Sequence, residues 1–196
     1  MGATRELSLD HLELATGESD AELVRRLRAG DRAAFQDLYR RHVARVRAVL
    51  VRLLGPALLD DLTQEVFLRV WSSLTTLRDA EYLGTWIYRV TVNVATDALR
   101  RKQRWARWYS PEDPDTLAAP ALPDTVARLD TQRLVAKALA ALDFNHRAVL
   151  VLYEMEELPQ AEIGEILGIA AGTVKSRLFH ARRKVREFLA QEGIEL

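Results

Sequence analysis

The sequence predicts an all-α protein in which a proline-rich linker joins two small helical domains. Apolar residues recur at helical spacing along most of the chain, and the alternation typical of strands is scarce. Four of the six prolines fall within the stretch SPEDPDTLAAPALPD (110–124), and proline disfavours helix interiors. We therefore expect a mobile N-terminal extension over 1–19, a domain over 20–107, a linker over 108–124 and a domain over 125–191.

Each predicted helix is bounded by residues that start or stop helices. Asp20, Asp31 and Thr173 are expected to be N-caps, because their side chains can accept hydrogen bonds from the first-turn N–H groups. Gly30 and the pair Gly55-Pro56 are expected to end helices. The predicted helices lie at about 20–29, 31–54, 59–73 and 82–104 in the N-terminal part, and at about 125–141, 144–156, 160–167 and 173–190 in the C-terminal part.

Composition excludes several functional classes. The 196 residues (22.2 kDa) include no cysteine, so disulfide scaffolds and thiolate metal sites are excluded. The four histidines lack the paired spacing of metal ligands, and no phosphate loop or nucleophile motif is present. Apolar runs fall far short of the ~18 residues of a membrane helix, and the first residues do not form a signal peptide. We expect a soluble cytoplasmic protein that is not an enzyme and has no catalytic residue, metal or other cofactor.

The net charge is zero, with 28 basic and 28 acidic residues, but the charges are segregated along the chain. Basic blocks at 25–52, 97–108 and 173–189 alternate with acidic blocks. Such blocks suggest surfaces that face a polyanion. Charge alone favours the simpler interpretation, a set of solvated helix faces.

The strongest local motif lies between Gln160 and Leu189. A short helix, a turn containing Gly168 and Gly172, and a second helix together form a helix-turn-helix pattern. The second helix has one apolar stripe and one polar, basic face, as a DNA recognition helix requires. An ordinary amphipathic helix would also carry such a face, but the preceding helix and turn favour DNA binding. The face comprises Thr173, Lys175, Ser176, Arg177, Phe179, His180, Arg182, Arg183 and Arg186.

A second polar face follows the predicted helix at 82–104. Aromatic residues flank this face, and aromatic and basic residues together are typical of single-stranded nucleic-acid binding. Basic residues near the C-terminal end of a helix also suit its dipole, and Trp86 is expected in the core. The face comprises Arg89, Asn93, Asp97, Arg100, Arg101 and Arg104, and the aromatic residues are Trp86, Tyr88, Trp105 and Trp108.

The predicted helix at 59–73 has a different character. Asp61, Gln64, Glu65 and Leu68 form an acidic and amide face beside apolar residues. Such a face does not suit DNA and favours a protein partner that presents Arg or Lys. A solvated acidic face is the commoner meaning of such a row.

Together these segments resemble the sigma-70 family of bacterial transcription initiation factors, in its extracytoplasmic-function (ECF) group. DAELVRRLRAGDRAAFQDLYRRH resembles the start of family region 2, and DDLTQEVFLRVW its polymerase-binding segment. TWIYRVTVNVATDALRRKQR resembles the segment that reads the −10 promoter element. EIGEILGIAAGTVKSRLFHARRKVREFL resembles region 4, the helix-turn-helix that reads the −35 element.

The resemblance implies partners and a role for each face. The partners are core RNA polymerase, through its β and β′ subunits, promoter DNA, and an anti-sigma factor; no membrane insertion is implied. The loop at about 75–83 would receive a flipped-out base. The implied polymerase-binding residues are Asp61, Gln64, Glu65 and Phe67. The implied −10 residues are Arg89, Asn93, Asp97, Arg100 and Arg101. The implied −35 residues are Thr173, Lys175, Ser176, Arg177, Phe179, His180, Arg182 and Arg183.

Two residues depart from the family pattern. His180 stands where many relatives have Arg, and Gly164 stands where Ala is usual, at a modest cost in helix propensity. The alternative function is a stand-alone helix-turn-helix regulator. Such proteins usually dimerise on symmetric half-sites, but no dimer seam is evident, and that function would leave the DDLTQEVF face without a role.

Overall fold

The computed structural model describes residues 18–109 and 126–194, and within these ranges all regular structure is helical. The helices are α1 (Asp20–Arg28), α2 (Arg32–Leu54), α3 (Leu59–Ser73), α4 (Leu83–Tyr109), α5 (Val126–Ala140), α6 (Phe144–Glu154), α7 (Gln160–Leu167) and α8 (Ala171–Gln191). Two short 3-10 segments, Leu74–Thr76 and Ala80–Tyr82, join α3 to α4. The all-α prediction is confirmed.

The helix N-termini confirm one predicted cap and contradict two. Asp31 caps α2, accepting hydrogen bonds from the N–H groups of Ala33 (2.8 Å) and Ala34 (3.4 Å). The prediction for Asp20 is wrong because Ser19 caps α1 instead, and its Oγ accepts from the Glu22 N–H at 3.2 Å. The prediction for Thr173 is also wrong. It lies in the first turn of α8, which begins at Ala171 without a side-chain cap.

Gly164 has a packing role that outweighs its cost in helix propensity. A Cβ placed on it would lie 2.8 Å from the carbonyl oxygen of Ile169. The Ile169 N–H donates to the Gly164 carbonyl at 2.9 Å, so the chain folds back closely on this residue. Gly168 ends α7 in the left-handed conformation, with φ at 65°, where glycine carries no Cβ penalty. The two glycines therefore fix the turn between α7 and α8.

The predicted ends of the N-terminal part differ in detail from the structure. Helix α4 continues to Tyr109, so residues 108 and 109, predicted as linker, are helical. The rest of the predicted linker lies outside the described residues. Of the predicted extension, only Glu18 and Ser19 are described, and Glu18 accepts two 3.0 Å hydrogen bonds from Arg26.

The buried core runs through both parts of the chain. In the N-terminal part (α1–α4), α2 packs against α1, α3 and α4, and Leu38, Leu50 and Val66 are fully buried. In the C-terminal part (α5–α8), α6 and α7 pack against α8, and Leu152 and Ile163 are fully buried. The two parts also contact each other, α2 with α6 and α4 with α7. The contact between the two parts determines which side chains of α2, α4, α6 and α7 remain exposed.

Within the described ranges, every helix is too short or too polar to cross a membrane.

Candidate nucleic-acid and protein interface

The outward face of α8 is set by the burial of its other side. Val174, Leu178 and Ala181 are at most 2% exposed, and this stripe fixes the rotation of the helix about its axis. Lys175 and Ser176 are therefore exposed at the N-terminal end of α8. Thr173 and Phe179 are exposed beside them, Phe179 at 59%. This end presents the hydrogen-bonding and apolar groups that read base edges in a major groove.

Two other predicted residues of α8, Arg182 and Arg183, form ion pairs within the protein. Arg182 pairs with Glu154 at 2.6 Å, and its guanidinium lies 5.1 Å from the centre of the Tyr153 ring. The hydrogen bond with Glu154 is the main cause of the raised pKa of Arg182. Arg183 lies 3.5 Å from Glu187. These two arginines remain exposed at the surface, where phosphates could compete with their carboxylate partners.

His180 and Arg177 are only half-exposed. The His180 ring lies edge-on to the rings of Phe179 (5.5 Å) and His146 (6.1 Å). Arg177 borders a cavity between α4 and the C-terminal part, together with Asn93 and Arg100. The structure thus brings one predicted −35 residue next to two predicted −10 residues.

The polar face of α4 is exposed at Arg89, Asn93 and Arg100. Ile87 and Val94 on the opposite side are at most 2% exposed, and they set the rotation of the helix. This face borders a cavity of about 720 Å³ that the 3-10 region and α7 complete. Its lining includes Leu77, Arg78, Asp79, Tyr82, Trp86, Arg89, Asn93, Glu165 and Ile166.

Trp86 is half-buried and packs on the core, as expected, while Trp105 is 65% exposed. The side chain of Trp108 lies outside the described residues. Tyr88 packs against the core and hydrogen-bonds to the C-terminal part. Among the aromatic side chains that the structure describes, Trp86, Tyr88 and Trp105 therefore do not form a single stacking platform.

One ion network joins the predicted polymerase-binding face to the predicted −10 face. Arg69 donates to Asp97 at 2.8 Å and to Glu65 at 2.6 Å. Arg101 also donates to Glu65, at 2.9 Å. The pKa of Glu65 is lowered first by the Arg101 hydrogen bond and then by that of Arg69, against the effect of burial. Arg69 is the residue that the sequence interpretation missed, although its spacing from Glu65 on one helix was a signal.

The outer face of α3 exposes Asp61 and Gln64. Phe67, which the resemblance implies in polymerase binding, is 3% exposed and packs towards α2. Its ring centre lies 4.6 Å from that of Tyr39 and 6.5 Å from that of Phe35. The neighbouring Leu68 is 61% exposed.

A buried carboxylate links the two parts of the chain. Glu156, 8% exposed, accepts hydrogen bonds from Arg52 (2.8 Å) and from the Tyr88 hydroxyl (2.6 Å). Burial, followed by this hydrogen bond, raises the pKa of Tyr88. Thr85 of α4 also donates to Glu162 of α7. We call the cluster of Arg52, Tyr88 and Glu156 the inter-part latch.

Arg147 forms a further connection between the parts. It is 4% exposed and donates to the backbone carbonyls of Leu53 (2.7 Å), Ala140 (3.2 Å) and Leu142 (2.7 Å). These acceptors lie near the C-terminal ends of α2 and α5, where carbonyls lack intrahelical partners and favour a cation. Burial lowers the pKa of Arg147. Within the described ranges, no group of three or more acidic or histidine side chains could hold a metal ion.

The chain matches two family models, each in one part. Residues 38–105 match sigma-70 region 2, and residues 138–187 match sigma-70, region 4. The polar face of α4 lies within the first match, and α7 and the exposed N-terminal end of α8 lie within the second.

Curated relatives extend the match over most of the chain. The RNA polymerase sigma factor CarQ of Myxococcus xanthus is 34% identical over 172 residues, which cover 87% of this chain and 98% of CarQ. The ECF RNA polymerase sigma factor SigE of Mycolicibacterium smegmatis is 37% identical over 173 residues, which cover 85% of this chain and 66% of SigE.

Solved structures share the fold. CnrH, in complex with the cytosolic domain of CnrY, is 25% identical, with a TM-score of 0.66, covering 89% of this chain and 99% of CnrH. The sigma factor RpoE of Bartonella quintana, in complex with the anti-sigma factor NepR, has a TM-score of 0.70 at 22% identity, covering 80% of this chain and 96% of that chain. This chain therefore belongs to the sigma-70 family of transcription initiation factors. Within that family it is a member of the ECF group.

Proposed function

We propose that this chain binds core RNA polymerase in the cytoplasm and directs it to promoters, contributing no catalytic site of its own. Residues 20–107 would act as region 2 and residues 125–191 as region 4, with 108–124 as their connector and 1–19 as an extension. The observation that carries the proposal is the presence of both family matches, in order, on a chain whose α8 exposes a recognition end. RNA synthesis would belong to the polymerase.

We assign the −35 element to α8. Thr173, Lys175 and Ser176 would face the bases, because the N-terminal residues of a recognition helix reach base edges. Arg182 and Arg183 lie further along the helix and would bind phosphates, exchanging their present carboxylate partners for the DNA backbone. His180, packed between two rings, would make at most a peripheral contact.

We assign the −10 element to α4 and to the cavity beside the 3-10 region. Arg89, Asn93 and Arg100 would follow the DNA strand along the exposed face. The 720 Å³ cavity, with Tyr82 and Trp86 in its lining, has the size and the aromatic character to hold an extruded base. Holding a base outside the stack would help to melt the duplex, since the pocket contacts offset the lost stacking.

We assign core-polymerase binding to Asp61, Gln64 and Leu68 on the outer face of α3, with Glu65 at its edge. Exposed carboxylates around an exposed leucine suit a partner helix that carries arginines and apolar residues. Phe67 would contribute only indirectly, because its buried ring supports the position of α3 on α2.

The packed arrangement of the two parts must open when both promoter elements are bound. The elements lie about 25 base pairs apart, or roughly 85 Å at 3.4 Å per base pair. Helix α4, with 27 residues, is only about 40 Å long. Parts that touch through α4 and α7 cannot reach both elements, so polymerase binding would separate them. An anti-sigma factor would act by opposing that change. The structural neighbour RpoE is a sigma factor in complex with the anti-sigma factor NepR, and the neighbour CnrH is in complex with the cytosolic domain of CnrY.

Reconstituted transcription with purified core polymerase and genomic fragments tests the proposal. Discrete new start sites that share two spaced upstream elements are the expected result. Reversing the charge of Asp61 should weaken core binding, whereas reversal of Glu192, on the surface near the end of α8, should leave it unchanged. A homodimer that binds a palindrome tightly without polymerase, and produces no new start sites, would favour the stand-alone regulator instead.

A further inference from the structure

A polar cavity of about 440 Å³ lies between α4 and the C-terminal part. Residues of α3 and α4 form one wall, and residues of α6, α7 and α8 form the other. We call it the α4–α6 cavity. It adjoins the 720 Å³ cavity proposed to hold an extruded base, since Asn93 and Ile166 line both. Its volume is within the range of small-molecule sites in proteins.

The α4–α6 cavity carries positive charge that the fold leaves without a partner. Among the described residues, Arg69, Arg100 and Arg177 line it, against the one carboxylate of Asp97. Arg69 already pairs with that carboxylate, at 2.8 Å. Arg100 and Arg177 form no ion pair with any residue that the structure describes. Two guanidinium groups from different helices therefore border one cavity without a counter-charge, and a guanidinium group binds phosphate through paired N–H donors.

The rest of the lining suits the nucleoside of a nucleotide. Asn93 on α4 and Asn145 on α6 are exposed, and neither side-chain amide hydrogen-bonds to another described residue. An amide offers both a donor and an acceptor, as the edge of a nucleobase does. Phe144 and Leu167 are half-buried and pack on the core, and they supply the apolar surface against which a base can stack. An inorganic anion would leave these groups unused.

We propose that the α4–α6 cavity binds a nucleoside diphosphate. Its phosphates lie on Arg100 and Arg177, and its nucleoside lies against Phe144 and the two asparagines. Because both walls of the cavity take part, the ligand binds the packed arrangement in preference to the open one. Asn93 and Arg100 also belong to the proposed −10 surface, so the ligand and the −10 strand exclude each other. That competition rests on the proposed function, whereas the binding itself does not.

Isothermal titration calorimetry on the full chain tests the site. The probes are ADP, GDP, CDP and UDP, with pyrophosphate and a single-stranded oligonucleotide for comparison. We expect at least one nucleoside diphosphate to bind about tenfold more tightly than pyrophosphate. Asn145→Asp should lower that affinity about tenfold or more, because the new carboxylate repels the phosphates and competes for their arginines. The substitution preserves the shape of the side chain, and a carboxylate in the first turn of α6 suits the helix dipole, so the fold is retained.

Arg177→Gln should cause a similar loss of affinity. Arg186→Gln is the matched control, because Arg186 is an exposed arginine on the same helix that lies outside the cavity. Equal losses in these two variants would overturn the proposal, since the ligand would then respond only to the overall charge of α8. No binding by any of the nucleotides would overturn it too. So would pyrophosphate that binds as tightly as they do, because no nucleoside is then recognised.

Two further outcomes separate this proposal from the proposed function. An oligonucleotide that binds where the nucleotides do not would assign Arg100 and Arg177 to DNA alone and would overturn the nucleotide site. Transcription with core polymerase is measured separately. New start sites alongside failed calorimetry would refute only the nucleotide site, whereas nucleotide binding by a chain that directs no initiation would refute only the proposed function.

Discussion

The two helices assigned to DNA, α4 and α8, differ in how accessible their polar faces are. At the start of α8, Lys175 and Ser176 are exposed, and Lys175 makes no ion pair with any residue that the structure describes. On α4, Asp97 and Arg101 are tied to Arg69 and Glu65 of α3, and Asn93 borders cavities that α7 helps to close.

The difference follows from the position of each helix in the fold. Helix α8 packs through one buried stripe against α5, α6 and α7 of its own part, and its polar face carries exposed residues. Helix α4 lies between α2, α3 and α7 and packs against all three. From this comparison we predict that the proposed −35 surface is ready in the free chain. The proposed −10 surface is exposed at Arg89, Asn93 and Arg100, but α7 lines the cavities beside it, so we expect DNA to have full access to it only when α7 moves away. Four predictions test this, in order of decreasing effect.

Acid is expected to destabilise the N-terminal part, which contains α4, before it affects α8. Burial in α2 lowers the pKa of His42 to about 4, against about 6.5 in an unfolded chain. Between these two pKa values, the unfolded state binds a proton at His42 that the folded state does not. The free energy of unfolding is therefore highest above pH 6.5 and falls as the pH drops. The free energy of unfolding, measured by urea unfolding, should be about 2.5 kcal/mol lower at pH 4.5 than at pH 7.

Two controls accompany this acid experiment. His42→Leu should remove most of the pH dependence in this window. Asp143, whose pKa is lowered to about 2 by hydrogen bonds from His146 and Lys184 despite its partial burial, affects stability only below about pH 4. Hydrogen exchange at pH 4.5 should therefore show loss of protection in α2 and α4 first. Equal loss in α8 would show that the two parts unfold as one unit.

Weakening the inter-part latch is expected to expose α4. Glu156→Gln removes the charge that pairs with Arg52 and accepts from Tyr88. Loss of a buried charge-assisted hydrogen bond costs about 2 kcal/mol, which would shift the packed-to-open equilibrium about 30-fold. Fluorescence energy transfer between dyes on α3 and α8 should fall. Glu157→Gln, at the exposed neighbouring position, is the control, and equal transfer in both variants would mean that the latch does not hold the parts together.

Features that depend on neighbouring residues can be predicted from the sequence, whereas features that depend on contacts between residues far apart in the chain cannot. The bounds of α7 were predicted correctly because Pro159 and Gly168 mark its ends locally. The predicted cap of α1 is one residue too late in the sequence. Ser19 and Asp20 are both favourable N-cap residues, and only the backbone conformation shows which of them occupies that position. The burial of Phe67 required knowing which side of α3 meets α2. In the latch, Glu156 is 104 positions from Arg52 and 68 positions from Tyr88 along the chain. No local sequence pattern predicts contacts between residues so far apart.

Single alanine substitutions on α4 and α8 should differ in their dependence on polymerase. Lys175→Ala should weaken binding of the free chain to a −35 duplex by about 1 kcal/mol, roughly fivefold, and reduce its salt dependence. Asn93→Ala should have no effect on DNA binding by the free chain and a similar loss once core polymerase is present. Electrophoretic mobility shifts with and without core polymerase measure both. A loss for Asn93→Ala in the free chain would show that α4 is already accessible.

The smallest expected effect concerns the network around Glu65. Glu65→Gln should weaken the ion pairs that hold Arg69 and Arg101, and such exposed pairs are worth about 0.5 kcal/mol. The freed Arg101 should raise the affinity of the free chain for a single-stranded −10 oligonucleotide about twofold, measured by anisotropy at low salt. Glu187→Gln, which breaks a comparable exposed pair on α8, should leave that affinity unchanged. If Glu65→Gln lowers the affinity instead, the network positions Arg101 for DNA and does not withhold it, and α7 alone then restricts the access of DNA to α4.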